Sequence, residues 1–523
     1  MMLRLNNLGT VSINYDLEPC DLPPNVMTEG RNFVLRNNVV WSFNTSNAVE
    51  GGDSAMTAGH VCYVVGLSTG LHMMVVMGVG NGTTTPNAQV YDGTIWHDIT
   101  ENIALSVDER KWCSCKLGNI PIFSNAETYP VYWAPQETSQ VLQKLPFKPG
   151  ANFDAMAIWP KVIRAHKNFL FALNLTESGT WSPNAFRWSA LADVNDVPAT
   201  WDETDLSNIA GKAALGANSG EILDGLSLRD EFCIYSTRAI HLLTYIGGDL
   251  IWSARTLSSN YGILATNCVV EVNGVHYFMS HNDIFMNDGG SIKSILHKQA
   301  KSIYNGFDPT NYKYASAVVD SNRDEIWFMV ETTDTNNPLR AIIYNYMDGT
   351  LSNRYLPTGI VSAAHAPIIG ETPLWSTTTK SWKNRKRPWN YDPTTPLDAK
   401  VVGLLTTGEL YDLSSTEEEP VTVQNSYVSR EDIALDNQQA AFTTRTVYPH
   451  IQCDDYVWIS LGARPYYGGD LVWSEKKFDP STQRKIDIRV SGTLLAWKVR
   501  SYDKRPFYLS GLDIEYELNG ERY

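Results

Sequence analysis

The residues best suited to chemistry in this chain sit in one stretch, Lys380-Ser-Trp-Lys-Asn-Arg-Lys-Arg-Pro-Trp-Asn390. Lys380, Lys383, Arg385, Lys386 and Arg387 place five cations within eight residues, alongside Trp382 and Trp389. They stand out in a chain of 42 Lys/Arg against 57 Asp/Glu and formal net charge −15. One reading is a loop that meets an acidic patch on a neighbouring subunit, where Arg forks carboxylates. A second is contact with a phosphate backbone, the cations neutralising charge and Trp stacking or anchoring the loop. A third is a solvated loop with no role. The acidic remainder argues against a general nucleic-acid coat or an anionic-membrane binder, since both want a basic surface.

Catalytic signatures are missing. The chain has no Walker A loop, no HExxH, no GxSxG elbow and no dinucleotide-binding GxGxxG. Gly78-Val-Gly-Asn-Gly-Thr-Thr-Thr85 is Gly-rich but lacks the P-loop Lys and reads as a loop between strands. Tyr91-Asp-Gly-Thr-Ile-Trp96 is a partial echo of the Asp-box turn of propeller glycosidases, in the wrong order and without a second copy. Glycosidases need two carboxylates flanking a cleft, and the acid clusters Glu101, Asp108, Glu109 and Asp202, Glu203, Asp205 read as solvated loops. Asp283, Asn287 and Asp288 lack the alternate oxygen ligands and closing Glu of an EF-hand. They read as a hairpin turn, with no metal. The seven Cys are scattered and odd in number, which suits buried thiols from a reducing cytoplasm rather than a disulfide framework. Cys113 and Cys115, the one close pair, have no second Cys or His pair to complete a zinc site. The expectation is a protein without catalysis and without a cofactor.

The elements that must position these residues are almost all strands. The chain is 43% hydrophobic, with 16 Trp and 26 Tyr, a load that fits pleated, half-buried surfaces. Short runs of Val, Ile, Tyr, Phe and Trp are cut by Gly, Asn, Asp and Pro, and Ile292–Tyr304 is the best helical candidate. Val61–Gly80 is nearly long enough to span a bilayer, but Ser68-Thr69-Gly70 divides it into a buried hairpin. The opening residues lack the apolar run of a secretory signal.

A hairpin unit recurs: Tyr63–Leu67 with Met73–Met77 and Gln89–Tyr91, Ile120–Phe123 with Val131–Trp133, Phe169–Leu173 with Phe186–Trp188, and Phe232–Tyr235 with Ile240–Leu243. It continues as Val275–Met279 with Ile284–Met286, Glu325–Val330 with Ala341–Tyr346, and Val401–Leu405 with Glu409–Leu413. Steps of roughly 40 to 70 residues are in the range of propeller blades with unequal loops. The fold expected is all-β: a β-propeller of six or seven blades over residues 31–415, with an irregular loop at 377–396. Its ring is closed by the hairpin Phe33–Leu35 and Val39–Trp41 against Val401–Leu413. After the acidic linker Ser414-Ser-Thr-Glu-Glu-Glu-Pro420, residues 421–523 alternate apolar and polar, as half-buried antiparallel strands do. They read as a β-sandwich or platform domain, on which, or on the propeller, residues 1–30 pack.

Several blocks then carry a family likeness. They are Asp21-Leu-Pro-Pro-Asn-Val-Met-Thr-Glu-Gly-Arg-Asn-Phe-Val-Leu-Arg-Asn-Asn38, Tyr245-Ile-Gly-Gly-Asp-Leu250 and His276-Tyr-Phe-Met-Ser-His-Asn-Asp-Ile-Phe-Met-Asn-Asp-Gly-Gly-Ser-Ile-Lys-Ser-Ile295. With them go Glu325-Ile-Trp-Phe328, Val447-Tyr-Pro449, Asp487-Ile-Arg-Val-Ser-Gly492 and Phe507-Tyr-Leu-Ser-Gly-Leu-Asp-Ile-Glu-Tyr516. Together they resemble the nozzle, or tail tubular, proteins of short-tailed bacteriophages. The resemblance implies a structural virion protein, made in the host cytoplasm and placed in the tail. Six copies would form a cyclic ring that continues the DNA channel below the adaptor, or head-to-tail connector, retaining packaged DNA and conducting it at ejection. Its partners would be its own copies, the adaptor, DNA passing without sequence-specific binding, and, as a further candidate, tail fibres. The alternative is a receptor-binding or glycan-degrading tail protein with a site on a propeller face. Replacing Arg385, Lys386 and Arg387 together by Ser separates the readings of the basic loop. A loop that grips DNA gives tails that form but leak genome, and an interface loop gives heads without nozzles. Normal assembly with normal retention leaves solvated surface.

Overall fold

The computed structural model describes residues 1–523 except 44–45, 68–69, 81–85, 101–111, 135–139, 206, 249, 297–299, 336–337, 369–398, 415–424, 436–439, 502–505 and 522–523. The basic loop, the whole irregular loop and all of the acidic linker but Ser414 therefore lie outside the described residues.

Each recurring hairpin is the middle of a small antiparallel sheet. The first is built from Met56–Val65, His72–Gly80, Pro86–Tyr91 and Trp96–Asp98, in that order. Equivalent four-stranded units follow at 113–144, 158–214, 222–258, 269–294 and 316–355. The last unit takes three strands, Ile360–Ala366, Lys400–Leu405 and Glu409–Asp412, and borrows its fourth, Asn47–Asp53, from before the first. From the second unit on, the first strand of each lies beside the first strand of the next, and Ile360–Ala366 returns to Met56–Val65. Met56–Val65 meets the second unit at Ile120–Ser124 and through His60 and Ser114. The units are blades, and the protein is a closed seven-bladed β-propeller. Blades cover one another on both faces, so their middle strands read as unbroken apolar runs rather than alternations. Phe169–Leu175, for instance, is buried at every position.

Closure differs from expectation. Phe33–Arg36 and Val39–Ser42 do pair around Asn37 and Asn38, which both take positive φ, 51° and 64°, as a tight two-residue hairpin turn requires. This hairpin does not close the ring. It adds to the outer strand of blade six, Thr350–Tyr355, and on its other side to Phe507–Glu521. The closing strand is instead Asn47–Asp53. The helical candidate is also corrected: Ile292–Ser294 is the outer strand of blade five. Helix is confined to Ala300–Tyr304, the one α-helix among the described residues. Gly78 and Gly80, expected in a loop, lie in the strand His72–Gly80. A Cβ at Gly78 would stand 2.2 Å from the Thr57 carbonyl oxygen.

The C-terminal strands form a sandwich into which the start of the chain is woven. One sheet holds Phe507–Glu521, Ala440–Cys453, Ile486–Asp487, Ser491–Gly492 and the N-terminal Met2–Asn6. The other runs Glu29–Arg31, Tyr427–Ala434, Leu494–Ser501, Val457–Arg464, Val472–Phe478. Leu5, Met27, Phe33, Leu35, Ile459, Trp497, Leu509 and Ile514 fill the space between.

Where platform meets propeller lies a buried charged joint. Arg36 Nε and Nη2 donate to Glu325 Oε1 and Oε2 at 2.5 and 2.9 Å, and Trp327 Nε1 donates to Glu325 Oε2 at 3.1 Å. Removing one partner of a buried pair leaves an uncompensated charge and costs about 3–5 kcal/mol, whereas apolar replacement of both is close to neutral. Arg36→Met should therefore lower stability by about that amount, with the double variant Arg36→Met, Glu325→Leu recovering most of it. Urea unfolding followed by Trp fluorescence measures both. Equal losses in the two would show the pair to be uncoupled.

Candidate functional site

The inner strands of a propeller meet around its axis, and here they carry polar side chains in an otherwise apolar pattern. His60 of blade one faces Ser114 of blade two, Nε2 to Oγ 2.8 Å, and Ser362 of blade seven, Nδ1 to Oγ 3.5 Å. Arg164 of blade three donates to the Ser114 carbonyl at 2.8 Å. It also grips Asp224 of blade four through Nε and Nη2, at 2.7 and 3.0 Å. Asp224 then accepts from the Asn267 backbone N–H at 2.7 Å, while the Asn267 side-chain oxygen accepts from Arg164 Nη2 at 2.8 Å. The Asn267 carbonyl accepts from Ala317 N–H of blade six at 2.7 Å. Asn322 donates to the Ala399 carbonyl beside blade seven at 2.8 Å. A girdle of hydrogen bonds thus passes through all seven blades.

The girdle is built for rigidity. Burial opposes the Arg164 charge, but the Asp224 carboxylate outweighs it and holds the guanidinium above its ordinary pKa. Burial, then the Arg164 charge, pulls His60 down to about 4. A second set behaves alike. Burial, with Lys167 adding, takes His166 to about 4, and burial takes His276 to about 4. His276 bridges Tyr235 Oη at 2.9 Å and the Ser227 carbonyl at 2.7 Å. These imidazoles are neutral struts between blades rather than acids or bases offered to a substrate.

The residues singled out by sequence are placed as follows. Lys380, Lys383, Arg385, Lys386 and Arg387 lie outside the described residues, as do Glu101, Asp108 and Glu109. Asp202 ion-pairs with Lys148 at 3.3 Å and Glu203 pairs with Arg187, while Asp205 accepts from the Ser207 N–H at 2.9 Å. Asp288 accepts from the Gly290 and Ser291 N–H groups at 2.8 and 2.7 Å. Asn287 is buried and donates to Tyr235 Oη at 3.0 Å, and Asp283 accepts from Ser294 Oγ at 2.6 Å. Each is spent on a turn or a neighbouring strand. Among the described residues no His, Cys, Asp or Glu cluster is placed to hold a metal ion. The Cys113 and Cys115 thiols are unpaired and pushed up by burial. The girdle itself was missed by sequence reasoning. Its signal is a charge inside an apolar strand, as in Val162-Ile-Arg-Ala-His166 and Ile222-Leu-Asp-Gly-Leu226.

No protein-family model and no curated protein matches this sequence. Solved structures do. YCF48 bound to D1 peptide is similar at TM-score 0.37 and 12% identity, over 72% of this chain and 98% of that one. A glycoside hydrolase is similar at 0.27 and 11%, over 90% and 99%. AztD of Citrobacter koseri is similar at 0.32 and 11%, over 66% and 83%. Similarity of this degree says nothing of activity, and the propeller is established by its strand pairing.

The neutral histidines make stability pH-dependent in a defined window. Their folded pKa values lie near 4, below the unfolded value of about 6.5. As pH falls the unfolded chain therefore takes up protons first, and stability declines between about 6.5 and 4. Urea midpoints measured across that range should drop, and His276→Gln should reduce the slope by the share of one group. An unchanged slope in that variant would show that His276 titrates normally in the fold.

Proposed function

We propose that this chain is a nozzle subunit of a short-tailed bacteriophage, one of six in a ring that continues the tail channel below the adaptor. Such a ring retains packaged DNA and conducts it at ejection. The observation that carries the reading is the continuous sheet joining the two parts of the molecule. Blade six passes through the hairpin Phe33–Ser42 into the platform strand Phe507–Glu521 without a break in strand pairing. A conduit wall that must withstand pressure and then transmit an opening signal needs subunits whose parts cannot shear. Hydrogen bonds running across the joint supply that stiffness.

Three of the seven blocks that carry the family likeness fall on this path. Asp21–Asn38 supplies a platform edge strand and the first half of the hairpin, Glu325–Phe328 lies in blade six, and Phe507–Tyr516 is the strand that receives the hairpin. The net charge of −15 suits a channel through which DNA slides without sticking. In this reading the protein acts by shape and charge, not by catalysis. A glycan-degrading role would require a free carboxylate pair at a propeller face, and Asp224, the buried acid of the girdle, is committed to Arg164 and Asn267.

The test is cryo-microscopy of virions carrying a bulky label on the C-terminus of this chain. Six label densities in a ring at the tail tip, below the adaptor, are expected. Single copies on fibres, or absence from the tail, would overturn the proposal.

A further inference from the structure

The sandwich ends in a strand with one open side. Val472–Phe478 pairs with Val457–Arg464 and, among the described strands, with nothing beyond. It is the edge farthest in sheet order from Glu29–Arg31, whose Arg31 guanidinium lies 4.6 Å from the Tyr355 ring of blade six. Lys476 and Lys477 on this edge are exposed, as are Arg484, Lys485 and Arg489 in the crossover after it. Among the described residues none of the five is held in an ion pair. Residues 476–505 hold nine Lys/Arg against three Asp/Glu in this acidic chain. Apolar side chains are exposed at the start of the same strand and in the turn before it: Val472 is 67% exposed, Tyr466 66% and Tyr467 54%.

A complementary surface lies on the propeller. The platform is attached at blade six. Half a ring of seven away, on the rim between blades two and three, runs the loop joining Thr180–Trp188 to Gly211–Ala214. Trp201 N–H of this loop donates to the Phe147 carbonyl at 2.7 Å, which fixes it to that seam. Residues 193–205 contain five acids and no Lys or Arg. Asp202 and Glu203 are paired within the chain, but Asp193, Asp196 and Asp205 are exposed and in no described ion pair. Here too apolar side chains are uncovered, with Val194 85% and Leu191 56% exposed.

We infer that the basic edge of the platform docks on this acidic rim of a second copy of the chain, head to tail. The inference rests on the ring reading above and names its contact. Opposite charges around apolar anchors are the anatomy of a protein interface, with a dry centre and a polar rim. A phosphate backbone would satisfy the cations and leave the exposed Val472 and Tyr466 uncovered. The patches are different surfaces of one subunit, so the contact is heterologous, the kind that closes into rings. Lysines on an edge strand also guard against unwanted strand pairing, and that simpler role is the competing outcome.

The experiment is sedimentation velocity on the full chain at low and high salt. Its variants are Lys476→Glu with Lys477→Glu, and Asp193→Lys with Asp196→Lys. All four positions are exposed, and matching thermal melts confirm folding. The wild type is expected to self-associate, less so at high salt, and each double variant to associate at least about tenfold more weakly, since like charges now face each other. Mixing the two variants should restore assembly, because each then presents what the other lacks. Association that ignores both charge reversals would place the interface elsewhere, overturning the contact while leaving the ring intact. A wild type that stays monomeric at its highest soluble concentration would make the lysines edge guards. Loss of binding to a short DNA duplex in the Lys→Glu variant, with no self-association in the wild type, would make the edge a phosphate site.

Discussion

Two buried arginines hold this molecule in one piece. Arg36 is clamped by Glu325, and Arg354 beside it donates to the Leu413 carbonyl and to Ser46 Oγ. Arg354 also lies over the rings of Phe43 and Trp327, at 4.3 and 5.5 Å. Burial brings its pKa down to about 9, with Asp412 opposing the fall, so it stays charged at neutral pH. Desolvating an ion costs several kcal/mol even after relaxation, and the cation is tolerated here because Nη1 and Nη2 donate to fixed oxygens and the guanidinium lies over two aromatic rings. The geometry has little slack. The same joint fixes the hairpin that enters the platform, the last blade through Leu413, and the segment leading to the closing strand.

From that joint the rest follows in both directions. Outward, the platform has no independent sheet of C-terminal strands, because Met2–Asn6, Glu29–Arg31 and Phe33–Ser42 supply edges and links. Inward, the blades are registered by the girdle, whose members are too deeply placed to be left unpaired. Leaving a buried polar group without a partner costs about 1–3 kcal/mol, so slipping one blade against the next would strand several groups at once. The polar girdle therefore does for blade registry what apolar packing, being non-directional, does weakly.

The sequence made the blades legible and their inner strands opaque, for a physical reason. Middle strands such as Glu325–Glu331 are covered on both faces, so their apolar runs announce themselves. Inner strands such as Cys113–Leu117 and Ser316–Asp320 face a crowded axis and carry Ser, Lys and Asp, so no simple period survives. Ile292–Ser294 was absorbed into a helical pattern because three residues of edge strand are too few to show alternation. The alternation after residue 421 was plain, but not that strands from the start of the chain complete those sheets, since pairing across several hundred residues leaves no local trace. In the candidate site, Arg164 and Asp224 were visible only as charges in the wrong place, and their meaning required knowing that consecutive blades set them face to face. The cations of 476–505 escaped because they are spread along two strands and a crossover, whereas Lys380–Arg387 lie side by side.

The borrowed strand of blade seven sets a timetable for synthesis. Asn47–Asp53 leaves the ribosome early, and its partner Glu409–Asp412 emerges roughly 350 residues later, which at about 5–20 residues per second is roughly 20 to 70 seconds. For that interval the nascent chain carries a strand with no sheet to join and six blades with no closed ring. An apolar strand left waiting would invite pairing with a neighbouring chain on the same message. The waiting segment reads Asn-Ala-Val-Glu-Gly-Gly-Asp, with two glycines and two acids and few residues that favour strands. Weakness of this kind in the final structure is tolerance in the growing one, because the strand becomes ordered only when the last blade arrives to receive it.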